Sequence, residues 1–379
     1  MRSRLVPAVL LAALAPALLG AVPASAAPPR PTDVRFATFN ASLNRAAPGE
    51  LRKDLSTPDD PQARLVADTI QEAHPDVLLI NEFDHDPVAA EEFRKNYLAT
   101  GDKPIEYPYV FTAPVNTGVP SGMDLDHDGK TDGPGDALGF GAFPGQYGML
   151  VLSKYPIGDV RTFQHFLWKD LPGNRIPPGY YSPEALAKLP LSSKSHWDVP
   201  IGIGGRTVHL LASHPTPPTF DGPEDRNGRR NADEIGFWRR YVTPGPAAHA
   251  LVDDKGRRGG IAPTERFVIE GDMNSDPVDG DSVPGAAGQI LTAPRVIDPK
   301  PRSAGAAENA TPGHRGDPAL DTGDFAEPVP GNLRTDYVLP SFPLQVRDSA
   351  VLWAAASDPL ARLNKASDHR MVRVDLQVR

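Results

Sequence analysis

Short apolar runs of the kind that form β-strands alternate along the chain with polar and turn-forming stretches. The predicted strands cover residues 34–39, 75–83, 107–113, 145–157, 163–169, 208–213, 268–270, 332–340 and 371–378. Apolar residues at helical spacing predict a helix over 61–73 and shorter helices over 91–97 and 232–241. The 43 prolines and 34 glycines favour many turns and long loops, including an extended surface excursion over 277–324.

The order strand, helix, apolar strand over residues 34–83 is typical of a local α/β unit. Glu82 stands near the carboxyl end of the second strand, which is where ligands usually gather in such units. We therefore take Glu82 as a candidate metal ligand. The alternative is an ordinary surface glutamate after a strand.

An acid and an amide, Asp272 and Asn274, follow the apolar run that stops at Glu270. In extended geometry residues i and i+2 project to the same side, so both side chains could point at one reacting centre. A carboxylate can hold a divalent cation or a water, and an amide can donate to a phosphoryl oxygen without adding negative charge. The alternative is a strand followed by an Asx turn.

Polar residues recur at or near the ends of the predicted strands. The set consists of Asn40, Glu82, His214, Asp272, Asn274, Asp336, Asp368 and His369. Asp336 lies inside an apolar strand, and a buried carboxylate needs a partner because leaving it unpaired is costly. A histidine such as His369 could take up or release a proton near neutral pH, provided that an acid fixes its tautomer. Asp336 is therefore its candidate partner.

The loop at 124–132 has acids at alternate positions and a glycine at the sixth place, as in the first half of a calcium-binding loop. Its candidate ligands are Asp124, Asp126, Asp128, Asp132 and the backbone carbonyl of Lys130. The twelfth position is Gly135 instead of glutamate, so a complete EF-hand is not expected. The hypothesis is a structural Ca²⁺ ion, and the alternative is a solvated acidic turn.

Two further stretches carry candidate substrate contacts. Arg226, Arg229 and Arg230 could clamp a phosphate group bidentately, or could form a solvated entry to the helix predicted at 232–241. Residues 192–200 are polar and aromatic, which is typical of the rim of a pocket.

The amino terminus predicts export. Arg2 and Arg4 precede an apolar run over 5–22 and a small-residue cleavage pattern at 24–26, so residues 1–26 are interpreted as a secretory signal peptide and 27–33 as a proline-rich leader. An N-terminal membrane anchor is the alternative, but prolines and a glycine interrupt the run. No later segment is expected to insert into a membrane. The sequence contains no cysteine, which excludes disulfides, cysteine nucleophiles and thiolate metal sites.

The formal net charge of −9 does not favour non-specific binding to nucleic acid. It leaves room for a local basic groove, but no ladder of basic and aromatic residues of the kind that binds DNA stands out. No protein partner is predicted.

An ordered set of short motifs resembles the endonuclease/exonuclease/phosphatase family. The motifs are Thr38-Phe39-Asn40, Asn81-Glu82, Leu152-Ser153-Lys154-Tyr155-Pro156-Ile157, Ser213-His214, Gly271-Asp272-Met273-Asn274, Arg334-Thr335-Asp336-Tyr337 and Ser367-Asp368-His369. They run from about residue 34 to residue 378, so the resemblance implies one domain over 34–379. The family commonly has Thr-His-Leu where this chain has Ser213-His214-Pro215, which leaves the histidine in place but changes the loop after it.

The resemblance implies an α+β fold, a four-layer α/β/β/α sandwich with two mixed, mostly antiparallel sheets. It also implies roles for the strand-end residues. Glu82, Asn40 and Asp368 would surround Mg²⁺, or Mn²⁺ or Ca²⁺ in its place. Asp272 would position and deprotonate the attacking water, Asn274 and His214 would hold phosphoryl oxygens, and His369 paired to Asp336 would stabilise developing charge.

The leading hypothesis is a secreted, divalent-metal-dependent phosphoesterase that hydrolyses a phosphomonoester or a phosphodiester by in-line attack of water. The first alternative is a secreted non-specific nuclease. An alternative of another class is a non-catalytic ligand-binding module that has kept the fold.

Overall fold

The structure is a computed structural model that describes residues 31–379. The predicted signal peptide at 1–26 lies outside the described residues, as does most of the predicted leader at 27–33. The first strand, β1 (Thr32–Leu43), begins within the last residues of that leader and continues to Leu43, beyond the predicted end at residue 39.

Six strands form the first sheet, and one pair of them is parallel. Besides β1 they are β2 (Val77–Phe83), β3 (Tyr109–Phe111), β4 (Met149–Ser153), β10 (Gln345–Val351) and β11 (Val372–Val378). Their order is β10-β11-β1-β2-β4-β3. β1 and β2 run parallel, and the other neighbours are antiparallel.

Five strands form the second sheet, which is also mixed. They are β5 (Arg161–Thr162), β6 (His196–Ile203), β7 (Arg206–Ser213), β8 (Arg266–Asp272) and β9 (Asp336–Pro340). The sheet order follows the chain order. β7 and β8 are parallel, and the remaining pairs are antiparallel.

Helices are short, with two exceptions. The α-helices are α1 (Glu50–Leu55), α2 (Pro61–Ala73), α3 (Pro87–Glu92), α4 (Pro183–Leu186), α5 (Arg226–Val242), α6 (Pro246–His249), α7 (Gly288–Leu291) and α8 (Ala304–Glu308). A π-helical turn spans Phe93–Leu98, and 3₁₀ turns span Pro134–Asp136, Trp168–Asp170, Pro318–Leu320 and Pro359–Lys365.

The two sheets face each other and each carries a long helix on its outer face. Phe36 of the first sheet and Trp197 and Val268 of the second pack in the layer between the sheets. Ile70 of α2 packs against the outer face of the first sheet, and Trp238 of α5 packs against that of the second. This arrangement confirms the predicted four-layer sandwich of two mixed sheets.

The helix predicted over 61–73 is confirmed with the same bounds, because its end signals are local. The Asp60 carboxylate accepts a hydrogen bond from the Ala63 amide at 2.7 Å, and Pro61 occupies the first helical position. His74 ends the helix in the left-handed conformation, with φ of 52°.

Several other predicted elements were wrong in extent or kind. None of the strands lies within 163–169, where one was predicted: β5 ends at Thr162, Trp168–Asp170 forms a 3₁₀ turn, and Phe163, Phe166 and Trp168 pack into the helix-side core. α5 begins six residues before the predicted start at residue 232. The predicted excursion over 277–324 contains α7 and α8, whose Ile290 and Ala306 are buried. β10 was not predicted.

No helix within residues 31–379 is both long enough and apolar enough to cross a bilayer.

A glutamate lies in the apolar layer between the sheets. Glu270 of β8 pairs in register with Ala212 and Val338, which both belong to that layer. Among the described residues neither of its carboxylate oxygens has a hydrogen-bond partner. Burial raises the pKa of Glu270 well above its usual range, so the folded protein favours the protonated carboxyl.

We predict that Glu270 makes the folded state less stable as the pH rises. In the unfolded chain the Glu270 carboxyl has the ordinary glutamate pKa of about 4.3 and loses its proton near that pH. The stabilisation is therefore complete below that pH and is lost as the pH rises towards the folded-state pKa. Glu270→Gln stays neutral, so its unfolding free energy relative to the wild type should rise with pH, by up to about 1.4 kcal/mol per unit.

Urea denaturation at a series of pH values measures this difference. Glu265→Gln is the matched control, because the Glu265 side chain is 42% exposed and close to the start of the same strand. A Glu270→Gln variant with the same pH dependence as the wild type would contradict the assignment.

Candidate active site at the shared edge of the two sheets

Strand directions bring most of the predicted polar residues to one edge of the sandwich. Asn40 lies in β1, Glu82 lies in β2, and Asp272 is the last residue of β8. Asp336 opens β9, which is antiparallel to β8, and the register pairs it directly with Asp272. His369 precedes β11, which is antiparallel to β1.

Asp272 is the residue on which the site converges. Its Oδ2 accepts a hydrogen bond from Asn40 Nδ2 at 3.0 Å. The same oxygen lies 3.4 Å from His214 Nε2 and 3.6 Å from His369 Nε2. Its Oδ1 accepts the backbone N–H of Asn274 at 2.8 Å. The carboxylate is therefore surrounded by groups from strands of both sheets.

The extended geometry expected after β8 is not found at Asn274. The residue has φ of 49°, in the left-handed region, and its side-chain amide donates to the Pro215 carbonyl at 3.1 Å. Glu82 is also left-handed, with φ of 58°. Such conformations cost about 1–2 kcal/mol for residues other than glycine, and the surrounding hydrogen bonds must hold them in place.

His369 lies between two carboxylates. Its Nδ1 is 2.8 Å from Asp336 Oδ2, and that oxygen also accepts the Thr322 hydroxyl at 2.8 Å and the Thr335 hydroxyl at 3.1 Å. Burial lowers the pKa of His369, but the Asp336 and Asp272 carboxylates outweigh it and raise the value to about 10. The geometry thus favours an imidazolium that donates to Asp336 and faces Asp272.

The pKa of Asp272 is raised, whereas that of His214 is lowered. Burial, opposed by His369, raises the pKa of Asp272 to about 7. Burial, followed by the charges of Lys194 and His369, lowers the pKa of His214 well below its usual range. Neutral His214 beside a carboxyl that titrates near neutrality is an arrangement suited to proton transfer.

Glu82, Asp368 and Asn40 offer oxygen atoms that suit a hard divalent cation. Glu82 Oε2 accepts from Asn44 Nδ2 at 2.8 Å, and Asp368 Oδ1 accepts from the Ser42 hydroxyl at 3.0 Å. Burial raises the pKa of Glu82, and the Asp368 charge adds to the shift. Within residues 31–379 no basic side chain lies within ion-pair distance of either carboxylate. This donor set therefore fits Mg²⁺, Mn²⁺ or Ca²⁺.

The prediction that Arg230 clamps a phosphate group at the start of α5 is wrong. That guanidinium is buried and donates to the carbonyls of Leu138, Pro190 and Leu191, so it holds chain segments together. Arg226 forms an ion pair with Glu224. Arg229 donates to the Glu224 carbonyl at 3.0 Å. The three side chains do not form one free phosphate clamp.

The acidic loop brings part of the predicted calcium set together. Carboxylate oxygens of Asp124, Asp126 and Asp128 lie within 4.8 Å of one another, and Asp132 is not part of that group. Lys130 Nζ lies 3.6 Å from Asp128. The next acid, Asp136, instead accepts the Leu125 and Gly133 amides at 2.8 Å and 3.2 Å.

Sequence reasoning missed several residues that shape the site. Asn81 accepts the Asp272 backbone N–H at 3.0 Å, and Thr322 supports Asp336. Lys194 belongs to the predicted pocket rim at 192–200, but that segment is buried and leads into β6. The adjacency of Asn81 to Glu82 was an available signal. Nothing in the local sequence around Thr322 marks it.

Comparisons with known proteins identify the family of the chain and support its fold. The family model described as "Endonuclease/Exonuclease/phosphatase family" matches residues 37–369. A comparison with curated proteins found no match. Among solved structures, an endonuclease/exonuclease/phosphatase from Beutenbergia cavernae DSM 12333 is similar with a TM-score of 0.52 and 19% identity, over 91% of this chain and 72% of that one. That similarity shows the fold.

Two further solved structures are similar at lower scores. Sphingomyelinase C from Streptomyces griseocarneus has a TM-score of 0.47 and 15% identity, over 91% of this chain and 99% of that one. Truncated TDP2 from Caenorhabditis elegans has a TM-score of 0.44 and 14% identity, over 91% of this chain and 98% of that one.

We predict that Asp336→Asn lowers the pKa of His369, because it removes the carboxylate whose charge does most to favour the imidazolium. In metal-free wild type the His369 ring should stay protonated well above pH 7, and in the variant it should titrate at lower pH. NMR titration of the ring protons measures this. Asp348→Asn, at an exposed position of β10, is the control and should leave the titration unchanged. Equal His369 titrations in wild type and Asp336→Asn would refute the pairing.

Proposed function

Because the chain belongs to the endonuclease/exonuclease/phosphatase family, we propose that it hydrolyses a phosphomonoester or phosphodiester by in-line attack of water and acts after export. Family membership makes it a metal-dependent phosphoric ester hydrolase. The substrate class, the roles of individual residues and the export are the proposal. The observation that carries it is the Asp272 carboxylate, which is held between His214 and His369 with Glu82 and Asp368 nearby.

Asp272 is the proposed general base. A base works best when its pKa is close to the operating pH, and that of Asp272 is raised to about 7. Its Oδ1 accepts the Asn274 N–H, while Oδ2 accepts the Asn40 amide and faces the two histidines. A water hydrogen-bonded to Oδ2 would be oriented towards a phosphorus atom placed between those rings, and would lose its proton to the carboxylate.

The two histidines have different proposed roles because their protonation differs. His369, whose imidazolium is held by Asp336, places positive charge against the oxygens that become more negative in the transition state. Neutral His214 has a buried Nδ1 without a partner in the described part of the chain, and its Nε2 points towards Asp272. Together with the remaining N–H of the Asn274 amide it would hold phosphoryl oxygens.

The divalent cation would be held by Glu82, Asp368 and the Asn40 side-chain oxygen. When bound, such an ion neutralises phosphoryl charge and stabilises a leaving oxygen. Asn40 uses its amide nitrogen for Asp272 and its oxygen for the Ser42 N–H at 3.2 Å. It therefore couples the position of the base to that of the cation ligands.

The charge of the chain bears on the choice of substrate. The formal net charge of −9 favours a small molecule or a lipid headgroup over a nucleic acid as the phosphate ester. A secreted nuclease is the alternative within the same chemistry. A binding module that has lost catalysis is disfavoured, because Asp272, Asn274 and His369 are all present and close together.

Export rests on the composition of residues 1–26, which carry basic residues, an apolar run and a small-residue cleavage pattern. Expression of the full chain with sequencing of the secreted amino terminus tests it. A mature protein that begins near residue 27 is expected, and an intracellular, uncleaved product would contradict it.

A substrate panel tests the proposed activity. The mature chain is assayed with mono- and bis-p-nitrophenyl phosphate, a phospholipid, phytate and plasmid DNA, each with Mg²⁺, Mn²⁺ or Ca²⁺ and with EDTA. Hydrolysis of at least one small ester that EDTA abolishes is expected. Degradation of plasmid DNA alone would favour the nuclease. Binding of these compounds without hydrolysis under any metal would favour the binding module.

We predict that Asp272→Ala and His369→Ala each lower kcat by about 10²–10⁴-fold, because each removes a group that acts on the reacting atoms. The matched controls are Asp281→Ala and His165→Ala, which alter exposed residues. Circular dichroism and thermal unfolding check that the fold is kept. Near-normal turnover in either site variant would count against the assignment.

We further propose that the acidic loop holds a structural Ca²⁺ ion. Three carboxylates lie together on the loop, and oxygen donors in this pattern are typical of calcium sites. An ion there would offset the repulsion between the carboxylates and fix the loop against Tyr180, whose ring stacks on His127 at 4.2 Å.

Calcium should therefore raise the thermal unfolding midpoint, and Asp126→Asn should reduce the shift. At a free calcium concentration of about 100 times the dissociation constant, binding adds about 2.7 kcal/mol to the free energy of unfolding. Asp102→Asn alters an exposed aspartate outside this loop and serves as the control. Mg²⁺ is kept present throughout to saturate the other site. Equal calcium shifts in both variants would refute the loop as the binding site.

A further inference from the structure

Lys194 lies at the edge of the sandwich where the site is built. It stands two residues before β6, and the first residue of that strand, His196, pairs with Ser213, which immediately precedes His214. The adjoining backbone is fixed: the Lys194 carbonyl accepts the Asn116 N–H at 3.0 Å, and the Ser193 N–H donates to Glu234 Oε1 at 2.7 Å. The lysine therefore has a defined position beside His214.

The Lys194 side chain is buried and unpaired. The residue is only 6% exposed. Among the described residues its ammonium has no hydrogen-bond partner and no carboxylate within 4.0 Å. Buried ammonium groups are costly unless they are paired. Glu234 does not provide the pair, because its carboxylate is occupied by the Ser193 and Thr216 amides.

The charges that act on Lys194 are those of the site. Burial lowers the pKa of Lys194, and Glu234, Glu82 and Asp272 oppose this in that order. Lys194 in turn lowers the pKa of His214. The ammonium is thus within electrostatic range of Glu82, Asp272 and His214, although neither of the two carboxylates lies within ion-pair distance of it. An anionic group entering this space would meet an unpaired donor.

We infer that Lys194 is a substrate-binding residue, whose ammonium donates to a non-bridging oxygen of the phosphoryl group. This inference rests on the proposed function. An ammonium has three donors and no acceptor, so it suits phosphoryl oxygens that the cation and the histidines leave free. Because the contact is made in the bound substrate and strengthens as negative charge builds up on the oxygen, its loss should raise KM as well as lower kcat.

A competing role is purely electrostatic. Lys194 could serve only to offset the negative charge of Glu82 and Asp272. In that case a neutral residue would strengthen binding of the divalent cation and leave phosphate binding almost unchanged. The two roles therefore predict different outcomes for a phosphate ion.

Inorganic phosphate is the probe, and its affinity is measured by calorimetry in the presence of saturating Mg²⁺. Lys194→Met keeps the length of the side chain and removes the charge, and it should weaken phosphate binding by about tenfold to a hundredfold. Lys194→Arg should restore part of the affinity. Lys188→Met, at an exposed lysine that pairs with Glu184, is the matched control and should bind phosphate as the wild type does.

Chemical rescue separates the effect of the charge at residue 194 from that of the side-chain shape. Alkylation is selective for an introduced cysteine, because the chain has no native cysteine. Lys194→Cys is alkylated in urea with 2-bromoethylamine, whose bromide is displaced by the thiolate, and is then refolded. The product carries an ammonium on a thioether side chain and should regain phosphate affinity. Alkylation with iodoacetamide gives a neutral side chain and should not.

A readout on the wild type covers the case in which the variants do not fold. Native protein is treated with acetic anhydride with and without phosphate, and acetylation of each lysine is measured by mass spectrometry. Phosphate should protect Lys194 and leave Lys188 unchanged. Acetylation of Lys194 that phosphate does not reduce, or unchanged phosphate affinity in a folded Lys194→Met variant, overturns the inference. A wild type that neither binds phosphate nor hydrolyses any ester would instead overturn the proposed function.

Discussion

The burial of the Asp272 carboxylate at the junction of the two sheets is the constraint on which the site depends. A carboxylate removed from water must be hydrogen-bonded or face positive charge. Asp272 meets this need through the Asn40 amide, the Asn274 N–H and the two flanking histidines. Each partner comes from a different strand or loop. The need to stabilise one carboxylate thus brings distant parts of the chain to one place.

The same constraint sets the protonation of the site. Asp336 raises the pKa of His369, and the resulting positive charge opposes the rise in the pKa of Asp272. Burial, together with the charges of Lys194 and His369, lowers the pKa of His214 and keeps that ring neutral. Two imidazoles that are alike in isolation become an imidazolium and a neutral imidazole, and the carboxyl of Asp272 titrates near neutral pH. Acid and base roles then follow from environment, as is usual where charged groups share a buried site.

The sequence predicted features whose signals are local. The helix at 61–73 has its cap, its first-turn proline and its apolar spacing within its own residues, and the polar strand ends are visible in the same way. The start of α5 was missed because the buried face of its first turns includes Arg230 and Glu234, which hide the apolar pattern. Thr322 was missed, and the burial of Lys194 within the predicted rim was not foreseen, because the burial of both residues depends on pairing with segments far along the chain.

The central claim is that Glu82, Asp368 and Asn40 hold a cation beside Asp272. Anomalous diffraction from crystals soaked in Mn²⁺ tests it most directly, because the ion is located without reference to activity. The account predicts an anomalous peak within bonding distance, about 2.0–2.6 Å, of oxygens from Glu82 and Asp368. Manganese bound only at the Asp124–Asp128 loop, with none between Glu82 and Asp368 in crystals of active protein, would contradict it.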